Sequence, residues 1–449
     1  MTTSTGASPP IIPAANMAVD AVVDTPVDTV VDTVVDTAVA RWRMLATLAI
    51  AELLGMALWF TGSAVGPQLK AAWGLSTSEV AWLTTSVQLG FVFGTALSAI
   101  LNLADIFPAR KLFAVAAVCG AIANTPMAFA TSLSLVYASR FVAGCCLAGV
   151  YPPAMKMAAT WFKARRGLAV GTIVGALSIG KASPYLAQAF PSATVRMVTM
   201  LASASALLAA TIVWYAYRDG PYEFPARPFA WSRVAQVLRV REYRLATGGY
   251  LGHMGELYSF WTWIPAFLAA SDAEHALATH GSANSRLSAI IAFGVIAVGG
   301  AGCVWGGLVA DKIGRARLVT WAMAASGSCA LLIGLAYGHS WWLLAPIALV
   351  WGFFVIADSA QFSVLVTEQV PTHAVGTALT LQVSMGFLLT TITIQIIPPL
   401  VSAVGWRYTF PILAIGPALG IASIRRLTQS RREHSIAGTN APNDVTGNG

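Results

Sequence analysis

Gly307-Leu-Val-Ala-Asp311-Lys-Ile-Gly314-Arg315-Ala-Arg317 is a short polar stretch set between two long apolar runs. A second stretch, Leu103-Ala-Asp105-Ile-Phe-Pro108-Ala-Arg110-Lys111, occupies the same kind of position. Asp105 precedes Asp311 by 206 residues. Glu52 precedes Glu256 by 204, and Gly167, after Arg165-Arg166, precedes Gly376, after His373-Ala-Val, by 209. Three independent pairs at nearly one offset indicate a duplicated chain, each copy close to half of the whole.

The composition says what is duplicated. Of 449 residues, 57% are hydrophobic and only 10% charged, against about 25% charged in a typical soluble domain. Twelve apolar runs, from 44–65 to 409–427, are each close to the roughly 20 residues that cross a bilayer. Backbone polar groups in lipid must bond within their own segment, so the runs are read as helices. The fold class expected is all-α, with twelve transmembrane helices in two six-helix halves related by pseudo-symmetry.

The domain reading follows. Residues 1–40 are a disordered tail, with Asp20, Asp24, Asp28, Asp32 and Asp36 recurring in an imperfect Val-Asp-Thr repeat; an acidic amphipathic helix is the alternative there. Residues 41–216 form the first half, 217–245 a linker, 246–427 the second half and 428–449 a disordered tail. In the linker, Val234, Val237 and Leu238 alternate with Arg233, Arg239, Arg241 and Arg244, a pattern for a basic amphipathic helix on a membrane surface.

Net charge is +8. In a soluble domain that would suggest nucleic acid, but here loop charge explains it. Of the 27 Lys and Arg, only Lys70, Arg196, Arg286 and Arg407 fall on one side of the bundle, with Arg140 and Lys181 inside spans. The rest lie on the other side, which the positive-inside rule makes cytoplasmic, together with both termini. The expected location is a plasma (inner) membrane. The five cysteines, Cys119, Cys145, Cys146, Cys303 and Cys329, lie in apolar segments without a metal spacing, so neither disulfide, metal nor cofactor is expected. The His residues are scattered and no phosphate-binding loop is present. These features argue against a membrane enzyme and an ATP-driven pump, and no appended signalling domain suggests a sensor.

Four spans carry ionisable groups that lipid would penalise by roughly 2.5–3.5 kcal/mol each on the mildest scale. They are Glu52 on span 1, Arg140 on span 4, His253 and Glu256 on span 7, and Asp358 on span 10. Gln361 shares a helical face with Asp358, and Tyr151 shares one with Arg140. Lys181 sits on span 5, where a side chain snorkelling outward is the alternative. Arg140 and Lys181 lie nearer the outer side, the carboxylates deeper. Such a layout suits proton-coupled movement of a small anion, because a carboxylate in low dielectric can carry a proton. Arg140, Lys181, Glu52, Asp358, Gln361 and Tyr151 are the expected substrate residues, and Glu256 with His253 the expected proton site. Export of a cation or drug is the alternative, favoured by the three buried acids. Trp59, Phe60, Trp261, Trp263, Trp341 and Trp342 are expected to form an interfacial aromatic belt, with Trp261 and Trp263 as possible substrate contacts.

Over residues 41–427 the chain resembles the major facilitator superfamily. Gly307, Asp311, Gly314, Arg315 and Arg317 are similar to its G-x-x-x-D-x-x-G-R-x-R/K loop, and Arg140-Phe-Val-Ala-Gly144 resembles its R-x-x-x-G element. The resemblance implies a monomeric secondary transporter working by alternating access, with spans 1, 4, 7 and 10 around a central cavity. It implies gating by Asp311, Gly314, Arg315, Arg317, Asp105 and Arg110. The first loop departs from the pattern: Pro108 replaces a glycine, and the arginine slips to Arg110. Gly249-Tyr-Leu-Gly-His253-Met-Gly-Glu256-Leu-Tyr and Ala357-Asp358-Ser-Ala-Gln361-Phe-Ser resemble bacterial permeases near the cyanate and nitrate/nitrite porter groups. The mid-span arginines of nitrate porters have no counterpart on spans 2 and 8 here.

Overall fold

The computed structural model describes residues 27–162, 165–190, 192–222 and 229–439; the side chains of 27–38, 104, 105, 166 and 432–439 are outside that description. The chain divides into a short unit, Met1–Met44, and one compact unit, Leu45–Gly449. In the short unit the helix begins at Val27, within the segment expected to be a tail. Much of the acidic repeat lies outside the described residues.

Ten helices among the described residues are long and apolar enough to cross a membrane. They are span 1 (Val39–Trp73), span 2 (Thr77–Ile100), span 3 (Ala109–Phe129), span 4 (Leu133–Ala159), span 6 (Val195–Ala216), span 8 (Ser285–Ile313), span 9 (Arg315–Ala336), span 10 (Trp341–Thr367), span 11 (Thr372–Val404) and span 12 (Trp406–Arg431). Two more long helices complete the bundle: span 5 (Arg166–Gln188) and span 7 (Arg241–Ala278). Their lower hydropathy has a visible source, because they carry Lys181, and His253 with Glu256. A short helix, Trp231–Arg239, precedes span 7 and docks on the start of span 11, where Ala230 N donates to Thr377 Oγ1 at 3.0 Å. We call this the linker end. Large apolar side chains such as Phe93, Ile122, Leu335 and Leu419 are exposed along the spans, as a lipid-facing surface requires.

Several spans are interrupted near mid-depth. Span 1 turns out of helix over Ala57–Phe60. Span 4 breaks ahead of Pro152-Pro153, where two successive residues lack a donor. Span 10 breaks at Asp358. Broken helices at mid-depth are tolerated where protein or a cavity re-satisfies the freed groups.

The two halves meet along two seams. Span 5 packs on span 8 through small residues. A Cβ at Gly171 would stand 2.8 Å from the Cys303 carbonyl oxygen, and one at Gly175 2.8 Å from that of Gly300. Nearer the linker end, a Cβ at Gly307 would stand 2.8 Å from the Gly167 oxygen. The Gly167–Gly171–Gly175 spacing presents one smooth helix face, which lets backbones touch. Span 2 packs on span 11, with Gln395 Nε2 donating to Thr85 Oγ1 at 3.0 Å and Phe91 against Phe387 at 4.6 Å. The span 5–8 seam is closed from the linker end to mid-depth. Beyond mid-depth a cleft opens beside the same two spans.

Candidate functional site

The cleft has a volume of about 640 Å³ and opens at the end away from the linker. Spans 1, 2, 5, 7 and 8 line it, with Ser63, Gln68, Thr84, Tyr185, Gln188, Thr262, Ser285, Arg286 and Ser288 among its polar groups. Its size is that of a small-molecule pocket. Tyr185, 2% exposed, lines the cleft. Among the described residues its hydroxyl meets no partner in hydrogen-bond geometry, and Ser63 beside it is bonded to Thr84 at 2.5 Å.

Lys181 lies one helical turn deeper on span 5. Its ammonium donates to the Tyr258 hydroxyl at 2.6 Å. It also stands 3.8 Å from the ring centre of Trp59, 4.7 Å from Tyr258 and 5.0 Å from Trp261. Such a box of rings stabilises a desolvated cation by about 2 kcal/mol or more. Two of its rings, Tyr258 and Trp261, belong to the second half; Trp59 and Lys181 belong to the first. Phe387 of span 11 stacks against both Trp59 (5.7 Å) and Tyr258 (5.1 Å), and Phe60 stands edge-on to Trp261. The indole N–H groups of Trp59 and Trp261 are buried without a partner.

Glu52 interacts electrostatically with Lys181 and with Tyr151 at the break in span 4. It is fully buried, and neither carboxylate oxygen accepts a hydrogen bond. Tyr151 also interacts with Tyr250 and Tyr258 of span 7. Beside this centre, His253 Nδ1 lies 3.0 Å from Asp358 Oδ1, both groups 1% exposed. Phe362 and Tyr250 pack on the His253 ring. Gln361, on the helix after the Asp358 break, is buried.

Two expected site residues point elsewhere. Arg140 is buried inside the first half, donating to Asn124 Oδ1 at 2.9 Å and to the Trp59 carbonyl. That carbonyl is freed by the break in span 1. Asn124 in turn donates to the Thr199 carbonyl and to Ser203. Arg140 thus joins spans 1, 3 and 4, and is not among the residues lining the cleft. Glu256 faces the interior of the second half, where Trp351 Nε1 donates to Oε1 and Ser326 Oγ to Oε2, both at 2.8 Å. Its helix face is turned from that of His253, so the structure pairs His253 with Asp358 instead.

The aromatic belt is also corrected. Trp59, Phe60, Trp261 and Trp263 are at most 3% exposed and build the box and the packing behind it. Trp341 donates to Asp272, and Trp342 alone of the six lies open, at 92% exposure.

At the linker end, Gly314 takes φ +89°, which makes the turn between spans 8 and 9 and explains a glycine there. Arg315 stands 3.9 Å from Asp311 and 3.4 Å from Glu368, while Arg431 stands 2.9 Å from Glu368. The cluster ties spans 8, 9, 10 and 12 within the second half. Asp311 abuts the start of span 5, 3.7 Å from where a Cβ at Gly167 would lie. Arg317 is exposed. Arg110 donates to the Tyr217 carbonyl at 3.4 Å, and burial pushes the Tyr217 phenol up to about 12, so it stays neutral and donates to Met157 O. The Asp105 side chain lies outside the described residues. Sequence reasoning missed Tyr258 and Tyr185. The four-residue step from Lys181 to Tyr185, one face of span 5, was the available signal.

A bundle of broken and continuous spanning helices in two halves, closed at one end and cleft at the other, defines a membrane transporter. The sequence profile of the Major Facilitator Superfamily matches residues 48–393, and the chain belongs to that family. A crystal structure of the nucleoside transporter NupG, in a single-substitution variant, is similar in fold: TM-score 0.66, 14% identity, covering 86% of this chain and 99% of that one. No curated protein matches the chain.

Proposed function

We propose that this transporter carries a small organic monoanion, one proton moving with it, by alternating access. The observation that carries the reading is Lys181, which lies one helical turn beneath the cleft and touches both halves. A substrate carboxylate there would accept from the ammonium and from the unpartnered Trp59 and Trp261 indoles, while its apolar body meets rings. The apolar lining, including Pro67, Val80, Trp263 and Ala266, favours an organic body over a bare inorganic ion.

Charge balance supplies the coupling. With no substrate, Lys181 compensates Glu52. When a substrate anion takes over the ammonium, Glu52 is left as a buried uncompensated charge, which costs several kcal/mol. Taking up a proton removes that cost, so anion and proton load together. His253 and Asp358 form a second buried pair through which a proton could pass toward the linker end. By the distribution of Lys and Arg the linker end is cytoplasmic, in an inner membrane, and the cleft faces outward.

Proteoliposome flux of acetate, benzoate and nitrate, with and without a pH gradient, tests this. Benzoate flux driven by the gradient and lost in Lys181→Gln is the expected result; undiminished flux in Lys181→Gln overturns it. The ring box itself favours a second reading, an organic cation that displaces Lys181. In that case Lys181→Ala would bind tetramethylammonium more tightly than the wild type.

A further inference from the structure

We infer that Arg286 is the outer docking residue, which receives the anion at the mouth of the cleft before it reaches Lys181. The inference rests on the anion reading above and adds a second binding position to it.

Four cations lie at the cleft end of the bundle: Lys70, Arg196, Arg286 and Arg407. Three have structural partners. Lys70 donates to Thr77 Oγ1 at 3.0 Å, Arg196 stacks over Phe129 at 4.8 Å, and Arg407 donates to the Tyr337 carbonyl at 3.1 Å. Among the described residues Arg286 has no salt bridge or side-chain hydrogen bond and is the only charged residue lining the cleft.

Its position does not serve the helix. Arg286 lies in the first turn of Ser285–Ala297, where a cation opposes the helix dipole. The nearby acid is also unavailable. Asp272 accepts from Asn284 N at 2.6 Å, Trp341 Nε1 at 3.0 Å and Ser288 Oγ at 3.5 Å, so its oxygens are engaged by the loop before span 8 and by Trp341. No carboxylate among the described residues lines the cleft. Arg286 thus places a positive charge at its mouth. At its floor, the buried Tyr185 hydroxyl still lacks a partner. An anion passing from Arg286 past Tyr185 to Lys181 meets a donor at each stage and no like charge.

The test is sided. In proteoliposomes, benzoate flux from the cleft side is measured for wild type, Arg286→Gln and Arg286→Lys over a range of ionic strength. Arg286→Gln should raise KM roughly tenfold at low salt, leave the maximal rate unchanged and flatten the salt dependence, since steering is screened by salt. Arg286→Lys should restore most of the affinity, and KM from the linker side should not change. An unchanged KM and salt dependence in Arg286→Gln, with wild type carrying benzoate, overturns the docking role and leaves the anion reading intact. A wild type that carries no organic anion overturns the anion reading and the docking role with it.

Discussion

Gly171 of span 5 lies against the Cys303 carbonyl of span 8, so closely that a Cβ at residue 171 would stand 2.8 Å from that oxygen. The contact joins the two halves on the linker side of the cleft, where Cys303 is 2% exposed. Any opening toward the linker end must separate it. Gly171→Val cannot reach this contact without moving backbone, so it should hold the seam apart. The expected result is faster modification of Cys303 by N-ethylmaleimide, read by mass spectrometry, with slower transport. Cys303 as protected as in wild type would show that the seam tolerates the branch and does not set the closed state.

Arg140 should be essential for stability and dispensable for recognition. Arg140→Gln removes the donor to the Trp59 carbonyl and leaves Asn124 with one fewer partner. A hydrogen bond to a charged group contributes about 1.5–3 kcal/mol. A clear fall in the melting temperature in detergent is expected, with the thermal shift caused by bound substrate kept in the surviving fraction. Wild-type stability together with lost substrate binding would return Arg140 to the substrate site.

The architecture was legible because its signals are collective. The offset shared by Asp105 and Asp311, Glu52 and Glu256, and Gly167 and Gly376 does not depend on any one side chain. The direction in which each buried charge points was not legible. A soluble helix shows its inner face by hydrophobic contrast, but here lipid and protein interior are both apolar, so rotation about the helix axis leaves little trace. Arg140 turned inward because span 1 breaks at Ala57–Phe60, a stretch with neither proline nor glycine to announce it. Trp59 and Trp261 were misread for a related reason: a tryptophan near a helix end suits an interface and a cation box equally well.

The box around Lys181 makes a distinct prediction about shape. Tyr258→Phe keeps the ring but removes the hydroxyl that Lys181 donates to at 2.6 Å. The ammonium then loses a partner worth about 1.5–3 kcal/mol and engages substrate more readily. Tighter benzoate binding with slower release is expected by equilibrium binding and counterflow. Weaker binding would place the Tyr258 hydroxyl on the substrate itself.

Glu52 and Glu256 are related by the repeat yet should respond oppositely to the same change. Glu256 accepts from Trp351 Nε1 and Ser326 Oγ. A glutamine there can still accept from the indole through its oxygen, and its amide can donate to the serine once that hydroxyl turns. Glu256→Gln should therefore keep pH-gradient-driven uptake within about a factor of five, since each rearranged bond changes a free energy by only ~1 kcal/mol. At Glu52 the carboxylate oxygens accept no hydrogen bond, and the group answers only to charge. Glu52→Gln removes the group that would take the proton while leaving Lys181 free to hold an anion. Substrate exchange across the membrane should persist, and accumulation driven by the pH gradient should be lost. Measuring both fluxes in both variants separates the roles: driven accumulation lost in Glu256→Gln and kept in Glu52→Gln would move the proton into the second half.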